Sequence, residues 1–157
     1  MVWLEGSLLG HAMRSSGVWT YGLVNLTHIL GVSALFGSVL VLDLRLLGVW
    51  RQVPLVSVSG TTMPIARVGF VIAVLSGICL LATKATEYVG NPFLLIKFPA
   101  IAVALINVMV IERLPAWKAR GVRDPNERER WQLAIAGVVS LLSWLTAVSA
   151  GRMIGYW

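Results

Sequence analysis

At 157 residues the chain has the length of one ordinary soluble domain, but 57% of it is hydrophobic and only 13% is charged. So little polar surface cannot coat a water-soluble core, which excludes that class and leaves an integral membrane protein built as a single membrane domain. The net charge of +6 comes from basic residues lying between apolar stretches, a pattern of membrane topology and anionic lipid and not of nucleic-acid binding.

Residues 2–16 are amphipathic, with Trp3, Leu4, Leu8, Leu9 and Met13 against Glu5, His11 and Arg14. They predict an interfacial helix lying on the bilayer, closed by Ser15, Ser16 and Gly17. The first span covers about residues 21–47, because the twenty residues from Leu23 to Leu42 are apolar on every helical face. A loop with Pro54 and Gly60 follows, and Pro64 suits the first turn of a second span over about 64–86. Gly90, Asn91 and Pro92 form a turn. The third span, about 92–112, contains Lys97 and Pro99. Glu112 to Arg130 is a charged, proline-containing loop whose run from Arg120 to Arg130 alternates in sign and predicts a solvated segment, and the fourth span covers about 131–153, with an aromatic tail ending at Trp157. The expected fold is all-α: an integral membrane four-helix bundle preceded by an N-terminal amphipathic interfacial helix.

Basic residues set the orientation. Arg45, Arg51, Arg67, Arg113, Lys118, Arg120, Arg123, Arg128 and Arg130 lie at one end of the spans, and Arg14, Lys84 and Arg152 at the other. Nine against three places both termini outside the cytoplasm, which in a bacterium means the periplasmic face of the inner membrane. Asp43 and Arg45 then fall where the first span meets the cytoplasmic headgroups.

With that orientation, polar groups from separate spans reach similar depth. His28 lies about 10 Å below the outer start of the first span and Lys97 about 8 Å below that of the third, taking ~1.5 Å per residue. An imidazole at that depth requires a partner. One reading is a hydrogen bond to Asn25, Ser76 or Thr83. The other makes His28 a metal ligand, axial to the iron of a b-type haem. Gly31, Ser76, Gly77, Ala147 and Gly151 are small residues able to face a flat macrocycle, and Arg14, Lys97 and Arg152 are cations for its propionates. A bis-histidine site would have to draw on His11. Lys97 also reads as an interfacial anchor, and Pro99 beside it frees the Leu95 carbonyl. The lone Cys79 allows neither an intramolecular disulfide nor a thiolate cluster, and the five methionines form no cluster suited to copper.

The order WLEGSLLGHAMRSSGVWTYGLVNLTHILGVSALFGSVLVLDLRLLG, GFVIAVLSGICLLATKATEYVGNPFLLIKF and SLLSWLTAVSAGRMIGYW resembles a family of small, uncharacterised bacterial four-helix membrane proteins, a domain of unknown function. The shared elements correspond to Arg14, Ser15 and Trp19, to His28 and Gly31, to Asp43, Leu44 and Arg45, to Ser76 and Gly77, to Asn91 and Lys97, and to Gly151 and Arg152. More remotely, the early histidine and lysine are similar to those of copper-resistance D membrane proteins and of four-helix, haem-b protoporphyrinogen oxidases. Those relatives imply periplasmic-side redox or metal chemistry. The chain departs from the oxidases in its surface helix, its Asp-Leu-Arg corner and its scarcity of histidine, so their activity does not carry over. Three functions stay open: a haem-b electron-transfer protein with quinone or a periplasmic redox protein as partner, a small-anion or metal binding or transport module without cofactor, and a structural subunit of a larger complex or homo-oligomer.

Overall fold

The computed structural model describes residues 1–15, 17–83 and 85–156, and only the backbone of Val18. Ser16, Lys84 and Trp157, expected above at the break after the surface helix, at the outer end of the second span and in the aromatic tail, lie outside the described residues. The described chain is helical: α1 (Val2–Glu5), α2 (Leu8–Ser15), α3 (Gly17–Leu46), α4 (Leu55–Thr83), α5 (Pro92–Arg113), α6 (Pro115–Lys118) and α7 (Glu127–Met153). Four of these, α3, α4, α5 and α7, are long and apolar enough to cross a membrane, and the short N-terminal helices precede them. The four run alternately up and down, so both termini lie at one end of the bundle, called here the terminal end, and the α3–α4 and α5–α7 connections lie at the loop end.

α3 pairs with α4, α5 pairs with α7, and the two pairs join along α3 and α7; α4 and α5 make little direct contact. The α3–α4 pairing is a backbone-to-backbone approach permitted by glycine. A Cβ on Gly31 would lie 2.8 Å from the Ala73 nitrogen, and one on Gly69 would lie 2.6 Å from the Leu35 nitrogen and 2.8 Å from the Gly31 carbonyl oxygen. In lipid, where apolar burial does not drive association, such close contact supplies the dispersion that holds helices together. At mid-height Leu35, Ala104 and Trp144 form a core with Phe70, whose ring meets Trp144 edge-to-face at 6.3 Å. At the loop end Leu46, Leu55, Ile111, Trp117 and Leu133 form a second core. Between them the buried Asn107 donates to the Ala136 carbonyl at 2.9 Å, linking α5 to α7.

Two boundaries differ from the sequence expectation. α4 begins at Leu55, directly after Pro54, so Pro64 stands inside it. The hydroxyls that resembled a loop are satisfied within the helix, with Thr61 donating to the Ser57 carbonyl at 3.2 Å and Thr62 to that of Val58 at 2.9 Å. An apolar span tolerates the proline when its neighbours re-satisfy the freed backbone. α7 begins at Glu127 because Asn126 and Glu129 form a reciprocal capping box, each 2.9 Å from the other's backbone nitrogen. Nor is the charged run simply solvated. Arg123 grips Glu129 with two bonds of 2.7 Å, and Arg120 lies 4.4 Å over the buried Trp117 ring while donating to the Ser59 hydroxyl at 3.2 Å.

The N-terminal segment is two short helices docked on the end of α4. Gly10 lets α2 approach, since a Cβ there would lie 2.9 Å from the Ala82 carbonyl oxygen. Glu5 accepts from the Thr86 backbone nitrogen at 2.7 Å and from its hydroxyl at 2.5 Å. Arg14 donates to the carbonyls of Glu5 at 2.9 Å and Thr83 at 3.4 Å, placing a cation on the carbonyl end of α4 where the helix dipole favours it.

Candidate functional site

His28 is half-buried on α3 and reaches Ser76 of α4, with Nδ1 and Oγ 3.0 Å apart. Ser76 donates its own proton to the Ile72 carbonyl at 2.5 Å. A serine hydroxyl has one proton, so toward the ring its oxygen accepts, and His28 must carry hydrogen on Nδ1. Nε2 then carries the lone pair and has no hydrogen-bond partner among the described residues, the arrangement in which an outer-shell partner fixes a ligating imidazole. Gly77 clears space for the ring: a Cβ there would lie 3.1 Å from the His28 Cε1.

Lys97 stands on α5, in the other helix pair. Its half-buried stem lies along Gly151 of α7, where a Cβ would be 3.3 Å from Nζ and 3.5 Å from Cε. Among the described residues the ammonium has no carboxylate or hydrogen-bond partner, yet it stands near enough to His28 for their charges to interact. An ammonium with three donors and no acceptor, in a span, is expensive and calls for an anionic or carbonyl group.

The structure thus brings together His28, Ser76 and Gly77, and holds Lys97 against Gly151 within electrostatic range of the imidazole. Arg14 and Arg152 are engaged elsewhere, while Gly31, one helical turn from His28, packs on Ala73. Gly31 is covered by the backbone of α4 and has no face left for a ligand. Arg14 is committed to the N-terminal docking and, with Glu5, His11 and Thr86, lines a cavity of about 280 Å³ beneath α1 and α2; His11 belongs there as well. Arg152 stacks 4.6 Å over Tyr156 and hydrogen-bonds its hydroxyl. For a b-type haem, the free Nε2 and the unpartnered Lys97 fit an axial ligand and a propionate partner. The expected glycine-lined face is not free, because backbone covers Gly31 and side chains cover Gly77 and Gly151. Among the described residues no three His, Cys, Asp or Glu side chains gather to hold a metal ion.

One polar residue is placed quite differently from expectation. Asp43 does not meet headgroups; it is 2% exposed, turned into the bundle between α3 and α7. The Ser140 hydroxyl is the polar side chain that influences it, and its Oδ2 has no partner among the described residues. Gly137, a turn before Ser140, admits the Asp43 backbone, with a virtual Cβ 3.3 Å from its carbonyl oxygen. Arg45 alone does what was expected of the pair, fixing the first loop through the Val53 carbonyl at 2.8 Å. Ser140→Ala, which strips the carboxyl of its neighbour, is expected to destabilise the protein by about 1–3 kcal/mol. Asp43→Leu combined with Ser140→Ala removes both polar partners and should fall within about 1 kcal/mol of wild type. Thermal unfolding of the three proteins in one detergent measures both.

Over residues 1–157 the sequence matches a family described as a family of unknown function, DUF6644, and the chain belongs to that family. Neither a comparison with curated proteins nor one with solved structures gives a match.

Proposed function

We propose that this member of the family is a multi-pass protein of the bacterial inner membrane, both termini periplasmic, that binds at His28 and Lys97 a ligand with an apolar body and an anionic edge. The observation that carries this reading is a ring whose Nδ1 is engaged by Ser76, in electrostatic range of an ammonium that has no acceptor among the described residues. Within that class the donor set favours b-type haem, held through His28 with Lys97 toward a propionate; the remote resemblance to haem-b membrane oxidases points the same way. Such a group would supply one-electron chemistry, with quinone or a periplasmic redox protein as exchange partner. Ser76 would hold the imidazole in its ligating tautomer, and Gly77 and Gly151 would let the two side chains lie flat against the helices.

A second reading, a small anion or carbonyl compound held without cofactor, is favoured by the covered state of Gly31, Gly77 and Gly151. The visible spectrum of protein purified after expression with ample haem separates the two. A Soret band is expected, and colourless protein that takes up no haem on titration would leave the cofactor-free reading. Orientation is tested by reporter fusions after Arg120 and at the C-terminus, expected to report cytoplasm and periplasm respectively because of the basic asymmetry. A cytoplasmic C-terminus would place the site in the opposite leaflet and defeat the periplasmic assignment.

A further inference from the structure

We propose that the cleft at the loop end of the bundle, between Arg45, Arg51 and Arg130, binds a phosphate group, supplied by an anionic phospholipid headgroup or as free phosphate. The cleft encloses about 410 Å³ and is also lined by Gly48, Trp131, Asp124 and Glu127. That volume lies in the range of small-ligand sites.

The three guanidiniums come from the end of α3, the following loop and the first turn of α7, and those of Arg45 and Arg130 are aimed by backbone carbonyls. Arg45 donates Nε to the Val53 carbonyl at 2.8 Å and one terminal nitrogen to that of Arg51 at 3.3 Å, leaving the other terminal nitrogen unused. Arg130 donates only Nε, to the Pro125 carbonyl at 2.9 Å. Gly48 adopts φ +99°, a conformation suited to glycine, and Arg51 folds back over it so that a Cβ would lie 2.7 Å from Nε. The Arg51 guanidinium has no hydrogen bond among the described residues.

The charges that Arg45 senses are Asp124, Arg130 and Arg51, yet neither Asp124 nor Glu127 forms an ion pair with any of the three arginines. The same loop does make a two-bond ion pair nearby, between Arg123 and Glu129. Like charges held together with their donors unused favour an incoming anion, and guanidinium forks match phosphate oxygens. Depth agrees with a lipid source. Trp50 and Trp131 are 47% and 72% exposed at this end, as tryptophans are in the interfacial belt where phosphates lie.

The test uses the full chain in neutral detergent, with native mass spectrometry counting bound dioctanoyl phosphatidylglycerol, dioctanoyl phosphatidylcholine or inorganic phosphate. Phosphatidylglycerol is expected to bind about tenfold tighter than phosphatidylcholine, and Arg51→Gln with Arg130→Gln should remove that preference. Arg113→Gln, at the same end but outside the cleft, should leave it intact. Arg51→Gln alone, altering a side chain with no hydrogen bond, should weaken the preference without disturbing the fold, and keeps the test valid if the double variant fails to fold. Inorganic phosphate that displaces the lipid at equal concentration would identify free phosphate as the source; failure to displace it identifies the headgroup. Equal binding of the two lipids with no phosphate bound, or equal losses from Arg51→Gln and Arg113→Gln, would overturn the proposal in favour of diffuse surface charge.

Discussion

Gly69→Leu should separate α4 from α3 and leave the protein without its His28 site. The atoms that a Cβ at position 69 would meet, the Leu35 nitrogen at 2.6 Å and the Gly31 carbonyl at 2.8 Å, are backbone and cannot swing aside. Overpacking by added methylenes typically costs about 1–3 kcal/mol even where side chains can yield. Here the whole interhelical distance must increase, against a total stability on the order of 5–15 kcal/mol. Ser76 lies two turns further along the same helix, so displacing α4 also draws its hydroxyl off the imidazole. Gly37→Ala is the control, because a Cβ there meets nothing within 4 Å. Thermal unfolding followed by circular dichroism should show a large loss for Gly69→Leu and none for Gly37→Ala. Equal behaviour of the two would mean that the close α3–α4 approach contributes little to the bundle.

The four spans were legible because a helix apolar on all faces admits few other environments, and length then fixes what it can cross. That same uniformity hid which face of each helix looks inward. Asp43 therefore looked like a headgroup residue, whereas it shares the buried face of α3 with Leu35 and Leu46. Gly31 had the right size for a cofactor wall but served the α3–α4 contact, a role visible only once Gly69 was opposite it. His28 and Lys97 could be matched in depth from helical rise alone, but the Ser76 proton balance that frees Nε2 needs coordinates. The start of α7 is written in Asn126 and Glu129 as a capping box, set within a run of alternating charges that is also compatible with a loop. Pro64 misled for a different reason: in an apolar span the rule that proline opens a helix is relaxed.

If the proposed function holds, His28→Ala abolishes ligand binding while the four spans persist, because one half-buried imidazole contributes little to packing beside the glycine contacts and the two apolar cores. The ranking of its neighbours carries more information. If Nε2 ligates iron, Ser76→Ala leaves the metal bond possible but releases the tautomer and ring orientation, a loss on the order of 10- to 100-fold for outer-shell partners of ligating histidines. Lys97→Met would then remove one charge-assisted contact, on the order of tenfold. The expected order of effects on haem retention is His28, then Ser76, then Lys97, read from Soret absorbance during titration. An anion held without cofactor inverts that order: the ammonium supplies most of the attraction, Lys97→Met abolishes binding, and Ser76→Ala changes it little. The Ser76 and Lys97 variants therefore decide between haem ligation and anion capture even though both readings use the same residues.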